Sequence, residues 1–496
     1  MESSSVTASS EQEAYAAAVA AFEAGEHEKG LRLLEPFVAS KPLNYRFWHL
    51  RGLFQRALGK REEAIASLRH AVELDRAAAK PAAALARTLY EAGLPSVQAH
   101  GQAIRLDPAN QGLVSGLASA LIAEGEPDSA VAGLERVLQR SPHWVEGHVV
   151  LSKLRWAQGE REGFARSFEE ALRVLPRNRD LRVQQMIALM QAEQWEELLA
   201  AVAAGRAAMG SDAEFDINEA IAFAELGNAE RADELFAPHV RSDDSSAAIY
   251  IIRHYLRSGR PDEAAAMVER WLQTPQAFAF WPYASIVWRM LGDPRWDWLE
   301  GDERFVGIYD IADRLPPLDQ LAATLRKLHT LSGQPLEQSL RGGTQTAGDI
   351  FTHIDPVLVQ LREAVRDTVA EHAAQLPERD PRHPLLGPPR SPILFSGGWS
   401  VRLREGGYHA NHVHPMGWIS SALYIVLPED LGKDEAGFLT IGDPEGPTLK
   451  LDIKPYRTIE PRPGRLALFP SYSWHGTRPF GKGERITVAF DVALPK

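Results

Sequence analysis

The residues of this chain best equipped for chemistry are His412, His414 and His475, followed by Arg485 and Thr487. They lie in Tyr408-His-Ala-Asn-His-Val-His-Pro415, in Trp474-His475-Gly476 and in Arg485-Ile-Thr-Val-Ala-Phe490. Imidazole nitrogens are good ligands for transition metals. Two histidines separated by one residue on an extended strand project to the same side, so His412 and His414 can converge on one ion, and a later strand can bring His475 opposite them. Such a set leaves coordination positions open for substrate and oxygen. Alternation also places Arg485 and Thr487 on one strand face, with Ile486, Val488 and Phe490 on the other. A guanidinium grips a carboxylate through two parallel hydrogen bonds, and a neighbouring hydroxyl completes the grip. The combination predicts a metal centre beside a carboxylate site. His409 is the weaker candidate for a ligand, because its odd spacing from His412 turns it to the opposite strand face.

These side chains need strands to hold them, and the apolar pattern around them has a period of two. Trp399, Val401 and Leu403 alternate with Ser400, Arg402 and Arg404, and Ala422, Tyr424 and Val426 alternate with Leu423, Ile425 and Leu427. Further strands are expected at 438–441, 449–453, 465–469 and 485–492, with Gly and Pro between them, the pattern of an antiparallel sandwich or jelly roll. Asn411, Ser420 and Tyr424 are placed to line a pocket at this site, although a buried tyrosine equally serves as a hydrogen-bonded core residue. Trp399, Trp418 and Trp474 read as core, and Arg402 and Arg404 read as ion-pair partners in preference to anion ligands. Upstream, residues 338–346 are polar and glycine-bearing and are expected to form a loop; the glycines of Arg341-Gly-Gly-Thr-Gln-Thr346 suit a lid over the site or a plain turn. A helix is expected over 356–375, where Val357, Leu361, Val365 and Val369 form an apolar stripe. The six prolines between Leu376 and Pro392 require an extended crossing.

A chain of 496 residues exceeds one typical domain. Its 45% hydrophobic and 24% charged content is that of ordinary globular protein, with no run of the roughly 20 apolar residues that a membrane span needs. Cysteine is absent, which excludes disulfides, iron–sulfur clusters and thiol catalysis and leaves His, Asp and Glu to hold any metal. The net charge of −12 argues against nucleic acid as a partner, since that binding rests on Lys and Arg. Residues 1–10 lack the basic start and apolar stretch of a signal peptide and are expected to be a disordered lead-in, giving a cytoplasmic location.

The first three hundred residues repeat. Turn glycines fall at Gly25, Gly59, Gly93, Gly125, Gly159, Gly227, Gly259 and Gly292, with Gln194 taking the place of glycine in one unit, at spacings of 32 to 35 residues. Five residues later a small residue recurs as Gly30, Ala64, Ala130, Ala232 and Ala264, where close helix approach excludes larger side chains. Pro42, Pro142 and Pro176, with Pro108 in a shortened unit, end the second helix of a pair. This pattern, over roughly 11–295, resembles the tetratricopeptide repeat: antiparallel helix pairs stacked into a superhelix whose groove takes a peptide. A rigid spacer or a platform for homo-oligomerisation is the alternative role. Residues 296–335 read as a joint of aromatic and acidic character followed by a helix.

The C-terminal module, 336–496, resembles the double-stranded β-helix of the 2-oxoglutarate/Fe(II)-dependent oxygenases, and with the repeats it is similar to a bacterial group of repeat-bearing members. The family pattern is His-x-Asp/Glu, a distal His, then Arg about ten residues on with Ser or Thr two further. The resemblance makes His412 and His475 iron ligands and gives the far carboxylate of 2-oxoglutarate to Arg485 and Thr487. His414 stands where the carboxylate is expected. As a third ligand it leaves the site one unit more positive; as an outer group it leaves two protein ligands and water; strand geometry favours ligation. The implied chemistry is oxidation by O₂ coupled to decarboxylation of 2-oxoglutarate to succinate, on a protein or peptide held by the repeats. The same residues also suit a small-molecule hydroxylase with the repeats as scaffold, or a cupin-like metal-binding or interaction module without oxygenase activity. Arg485 with Thr487 disfavours the cupin.

Overall fold

A computed structural model describes residues 8–39, 43–428, 431, 433–444, 449 and 451–495. The chain divides into two compact units, one of Met1–Leu134 with Ala347–Val359 and one of Glu135–Thr346 with Gln360–Lys496. Among the described residues no helix is long and apolar enough to cross a membrane.

The first unit is built from antiparallel helix pairs, beginning with Ala8–Glu23 and His27–Ala39, so helix already starts within the segment expected to be a disordered lead-in; residues 1–7 lie outside the described residues, as does Pro42. The turn glycines Gly25, Gly59, Gly93 and Gly125 all have φ between 71° and 83°, a left-handed conformation that costs an L side chain about 1 kcal/mol or more. A Cβ at Gly30 would sit 2.0 Å from the Phe54 ring, the close approach that the recurring small residue implies. Residues 347–359, expected to belong with the C-terminal module, pack here instead: Thr352 Oγ1 donates to the Glu91 carbonyl at 2.7 Å and Ile354 N to that of Ala92 at 3.1 Å.

In the second unit the helix pairs continue to Trp281–Leu291, with Ala232 and Ala264 fully buried. The repeat that lacks glycine places Glu193, not Gln194, at φ 58° in the turn. Measured to Glu193, the spacing from Gly159 and to Gly227 is 34 residues each way, tighter than the sequence alignment through Gln194.

The C-terminal part of this unit carries two antiparallel sheets. The strands are β1 (Gly307–Asp310), β2 (Leu340–Gln345), β3 (Phe395–His409), β4 (Gly417–Val426), β5 (Leu439–Ile441), β6 (Arg457–Ile459), β7 (Arg465–Pro470), β8 (His475–Thr477) and β9 (Arg485–Ala493). The large sheet runs β1-β7-β4-β9-β3-β2 and the small one β6-β5-β8, both open. β4 and β9 lie centrally and are buried along most of their length, as near-continuous apolar strands should be. The helix expected at 356–375 is Pro356–Gln375, and the proline-rich crossing after it forms neither helix nor strand until Phe395.

Three expectations change. The segment 338–346 is largely the edge strand β2, bulged at Arg341–Gly343; a Cβ on Gly343 would meet the Arg402 carbonyl at 2.3 Å, so its glycines admit strand pairing rather than a mobile loop. The strand expected at 449–453 is not formed by its described residues, Lys450 lying outside them, and β5 pairs with β6 and β8. The joint supplies β1, paired to β7.

Two buried histidines set an acid limit. His329 and His372 are each pulled down to about 4 by burial, whereas an unfolded histidine titrates near 6.5. Between these values the unfolded chain binds protons that the folded one refuses, so their contribution to stability is complete above pH 6.5 and is lost as pH falls toward 4. Chemical denaturation across this window should show stability falling by several kcal/mol, and His372→Leu should make the slope shallower. An unchanged slope would remove His372 from the account.

Candidate metal centre

The site begins where β3 ends. His409 is the last residue of that strand, and Ala410 N still reaches the Ser339 carbonyl at 2.9 Å, but the chain then leaves the sheet. His412 and His475 exchange two backbone hydrogen bonds, of 2.9 and 3.0 Å, in an isolated bridge, and His414 N donates to the Ser471 carbonyl at 2.9 Å. His412 and His414 therefore converge because both are laced to 471–475, not because they alternate on a strand. His409 also lines the cavity, but its ring lies 6.2 Å from that of His412 and it is not part of the group whose nitrogens converge, in keeping with its weaker claim as a ligand.

The rings of His412 and His475 are 4.2 Å apart between centroids, those of His412 and His414 4.9 Å, and those of His414 and His475 5.2 Å. One nitrogen of each lies within 4.8 Å of the others, the span of ligands around one ion. What faces away is as telling. His412 Nδ1 lies 2.8 Å from the Ala410 carbonyl and His475 Nδ1 3.0 Å from that of Ser473. A carbonyl only accepts, so both Nδ1 atoms carry the proton and each Nε2 presents its lone pair. His414 Nδ1 donates to the Asp491 carboxylate at 2.8 and 2.9 Å. All three rings are thus held in one tautomer by an acceptor behind them, the arrangement that orients metal-bound imidazole. Burial holds His412 down at about 3, and His475 and His409 well below the usual range. His412 and His475 are therefore neutral at physiological pH, as ligation requires.

The same cavity is lined by Arg485 and Thr487 of β9 and by Trp399, Gln345, Gln338 and Ser339. It offers about 50 Å³ to the centres of water-sized groups, against the ~10–15 Å³ that one water needs. Arg485 is 1% exposed. It donates to the Gly437 carbonyl at 2.9 Å, lies over the Tyr424 ring at 5.0 Å and has an Nε without a hydrogen-bond partner. Burial lowers its affinity for a proton, and among the described residues it makes no ion pair. A buried cation without a counter-ion is costly, and this one borders the metal-ligand cavity. Its free donors suit a carboxylate.

Tyr424 packs under the guanidinium, and Asn411 Oδ1 stands so close to Gly476 that a Cβ there would meet it at 1.8 Å. Neither is among the cavity's lining residues. Trp418 and Trp474 are buried core residues, whereas Trp399 lines the cavity, its ring 6.0 Å from that of His414. Arg402 pairs with Glu484, as a structural arginine should. Asp491 was missed by the sequence reading. The signal was present, since alternation from Arg485 through Thr487 and Ala489 puts Asp491 on the site-facing side of β9.

These features describe an array of tetratricopeptide-type helix pairs and an antiparallel sheet domain with an imidazole cluster beside a buried arginine. Residues 397–491 match the family model described as "Putative 2OG-Fe(II) oxygenase", and residues 45–77 match the tetratricopeptide repeat. The first match contains all three histidines, Arg485, Thr487 and Asp491, and the family's chemistry implies Fe(II), 2-oxoglutarate and O₂. Solved structures similar to the chain include MamA (19% identity, 33% of this chain and 90% of that one, TM-score 0.30). Others are a tetratricopeptide repeat protein from Parabacteroides merdae (17%, 48% and 96%, 0.31) and yeast Tom70 (14%, 54% and 61%, 0.35). No curated protein matches the sequence significantly.

Proposed function

We propose that the chain is an Fe(II)- and 2-oxoglutarate-dependent dioxygenase of the hydroxylase type, acting on a protein or peptide recruited by the repeats. In this reading 11–295 recruit, strands β1 to β9 form a double-stranded β-helix, and His412, His414 and His475 hold the metal. The carrying observation is Arg485, buried without a counter-ion among the described residues, in the cavity that the three histidines line. A simple metal-storage or cupin site has no use for it, whereas a dicarboxylate whose other end reaches the metal does.

Bound iron with 2-oxoglutarate would supply the oxidising power for inserting oxygen into a C–H bond. The chain's own residues do the rest. Arg485 takes the distal carboxylate in a charge-assisted grip with Thr487 beside it. The Ala410, Ser473 and Asp491 oxygens keep three lone pairs aimed at one point. The apolar side chains of Phe469, Leu439 and Ala422 keep the cavity wall dry, which strengthens each of these interactions.

Anaerobic addition of Fe(II) and then 2-oxoglutarate to the whole chain should produce a weak visible charge-transfer band, and admitting O₂ should release succinate. Neither band nor 2-oxoglutarate affinity would end the oxygenase reading. Succinate release should rise with a peptide mixture; stimulation by small metabolites alone would replace the peptide substrate with a small one. Truncation is a poor test. Trp474 Nε1 donates to the Pro282 carbonyl at 3.0 Å, and Arg289 donates to the carbonyls of Gly442 and Lys454, so removing residues 1–290 would unsettle the sheets themselves.

A further inference from the structure

Three imidazoles leave a divalent ion with its full charge of two, where two imidazoles and a carboxylate would leave one. The structure holds a carboxylate one step further out. Asp491, at the far end of β9, accepts from His414 Nδ1 at 2.8 and 2.9 Å and from Ser420 Oγ at 2.7 Å, and Ser420 Oγ lies 2.9 Å from Ser471 Oγ. Its side chain is 16% exposed. No arginine or lysine pairs with it among the described residues, so His414 is the partner toward which its charge is directed.

We propose that Asp491 replaces the missing carboxylate ligand: the negative charge acts through His414, making that imidazole a stronger donor to the metal and returning the site to a net single positive charge. This rests on the metal-centre reading above. Asp491 is a positioning residue, since it acts through His414. Ser420 and Ser471 have their place in the same scheme. Ser420 holds the carboxylate directly and is itself held by Ser471, which fixes the direction in which Asp491 meets Nδ1, and Ser471 also fixes the His414 backbone through its carbonyl. A hydrogen-bonded carboxylate behind a histidine ligand raises the ligand's basicity, and its loss typically costs 10–100-fold in metal affinity. The family pattern's His-x-Asp and this chain's His-x-His with Asp491 are then two ways to place one negative charge near the ion, in the inner shell or immediately outside it.

The test is metal binding by the full chain, read by competition with a chromophoric chelator, using Co(II) so that its visible spectrum reports the ligand field. Asp491→Asn keeps an acceptor for His414 and removes the charge. It should weaken Co(II) binding at least tenfold and shift the spectrum, while the unfolding midpoint of the metal-free protein stays within a few degrees of the parent. His414→Asp alone should bind weakly, because two carboxylates then crowd one another. The double variant His414→Asp/Asp491→Asn, with one carboxylate returned to the inner shell, should regain most of the parent's affinity. Parent-like affinity and spectrum in Asp491→Asn would overturn the role of Asp491 and leave the metal centre standing. A parent chain that binds no Co(II) would overturn both. A double variant no better than either single one would also sink the idea that the two carboxylate positions are equivalent.

Discussion

His475→Ala is expected to abolish metal binding while leaving the fold intact, with the affinity for Fe(II) reduced by more than about 100-fold, beyond the 10–100-fold typical of losing a group that hydrogen-bonds to a ligand. The ring is the only ligand candidate of the three that a separate strand, β8, delivers. The remaining pair, His412 and His414, comes from one short segment and cannot surround an ion. The fold should tolerate the change because the bonds that lace this segment to 412 are backbone to backbone, and the ring borders a cavity. Titration against a chelator gives the affinity, and circular dichroism the fold. Retained Fe(II) binding would mean that the metal, if any, sits elsewhere.

Arg485→Met should separate stability from function. The parent keeps a guanidinium out of water with a hydrogen bond to Gly437, the Tyr424 side chain beside it and no counter-ion among the described residues. Methionine of similar length relieves that desolvation, and exchanges of buried charge for apolar groups have gained about 1–4 kcal/mol in other proteins. The Gly437 carbonyl loses its donor in return, at about 1–3 kcal/mol. The two terms offset, and the ligand-free variant should unfold within about 1–2 kcal/mol of the parent. Affinity for 2-oxoglutarate should nevertheless drop by 100-fold or more, since a bidentate charged contact is lost, and the rise in melting temperature that ligand gives the parent by mass action should vanish. A strongly destabilised variant with undiminished 2-oxoglutarate affinity would make Arg485 a structural residue.

Much of this was legible in the sequence for definite reasons. The repeats were, because left-handed turns demand glycine and close helix contacts demand small residues, both of which leave marks at fixed spacing; only Glu193, a residue tolerating φ 58° in one turn, hid the register. Strands β3, β4, β5, β7 and β9 were legible through alternation or continuous apolar runs. Strands β1, β2, β6 and β8 were not: all four lie at sheet edges, where a short strand need not be continuously apolar and has too few side chains to establish a period. His412, His414 and His475 were identified as a group, yet the strand parity invoked for them is not what brings them together. His409 was set apart from the ligand group, and its nitrogens are not among those that converge; that it too lines the cavity was hidden, because no local pattern reveals where a strand ends. Asp491 lay within reach of the alternation from Arg485 but was passed over, since nothing local says that His414 needs an acceptor.

The interleaving of the two units carries a cost in time. Thr352 and Ile354 complete the hydrogen bonding around the turn after Tyr90, yet the 212 residues of Glu135–Thr346 are made between these partners. At ribosomal rates of about 5–20 residues per second the first unit waits on the order of ten to forty seconds for its closing segment. During that interval its repeats must be held by their own stacking, and the turn at Gly93 remains an unfinished surface for whatever in the cell attends nascent chains.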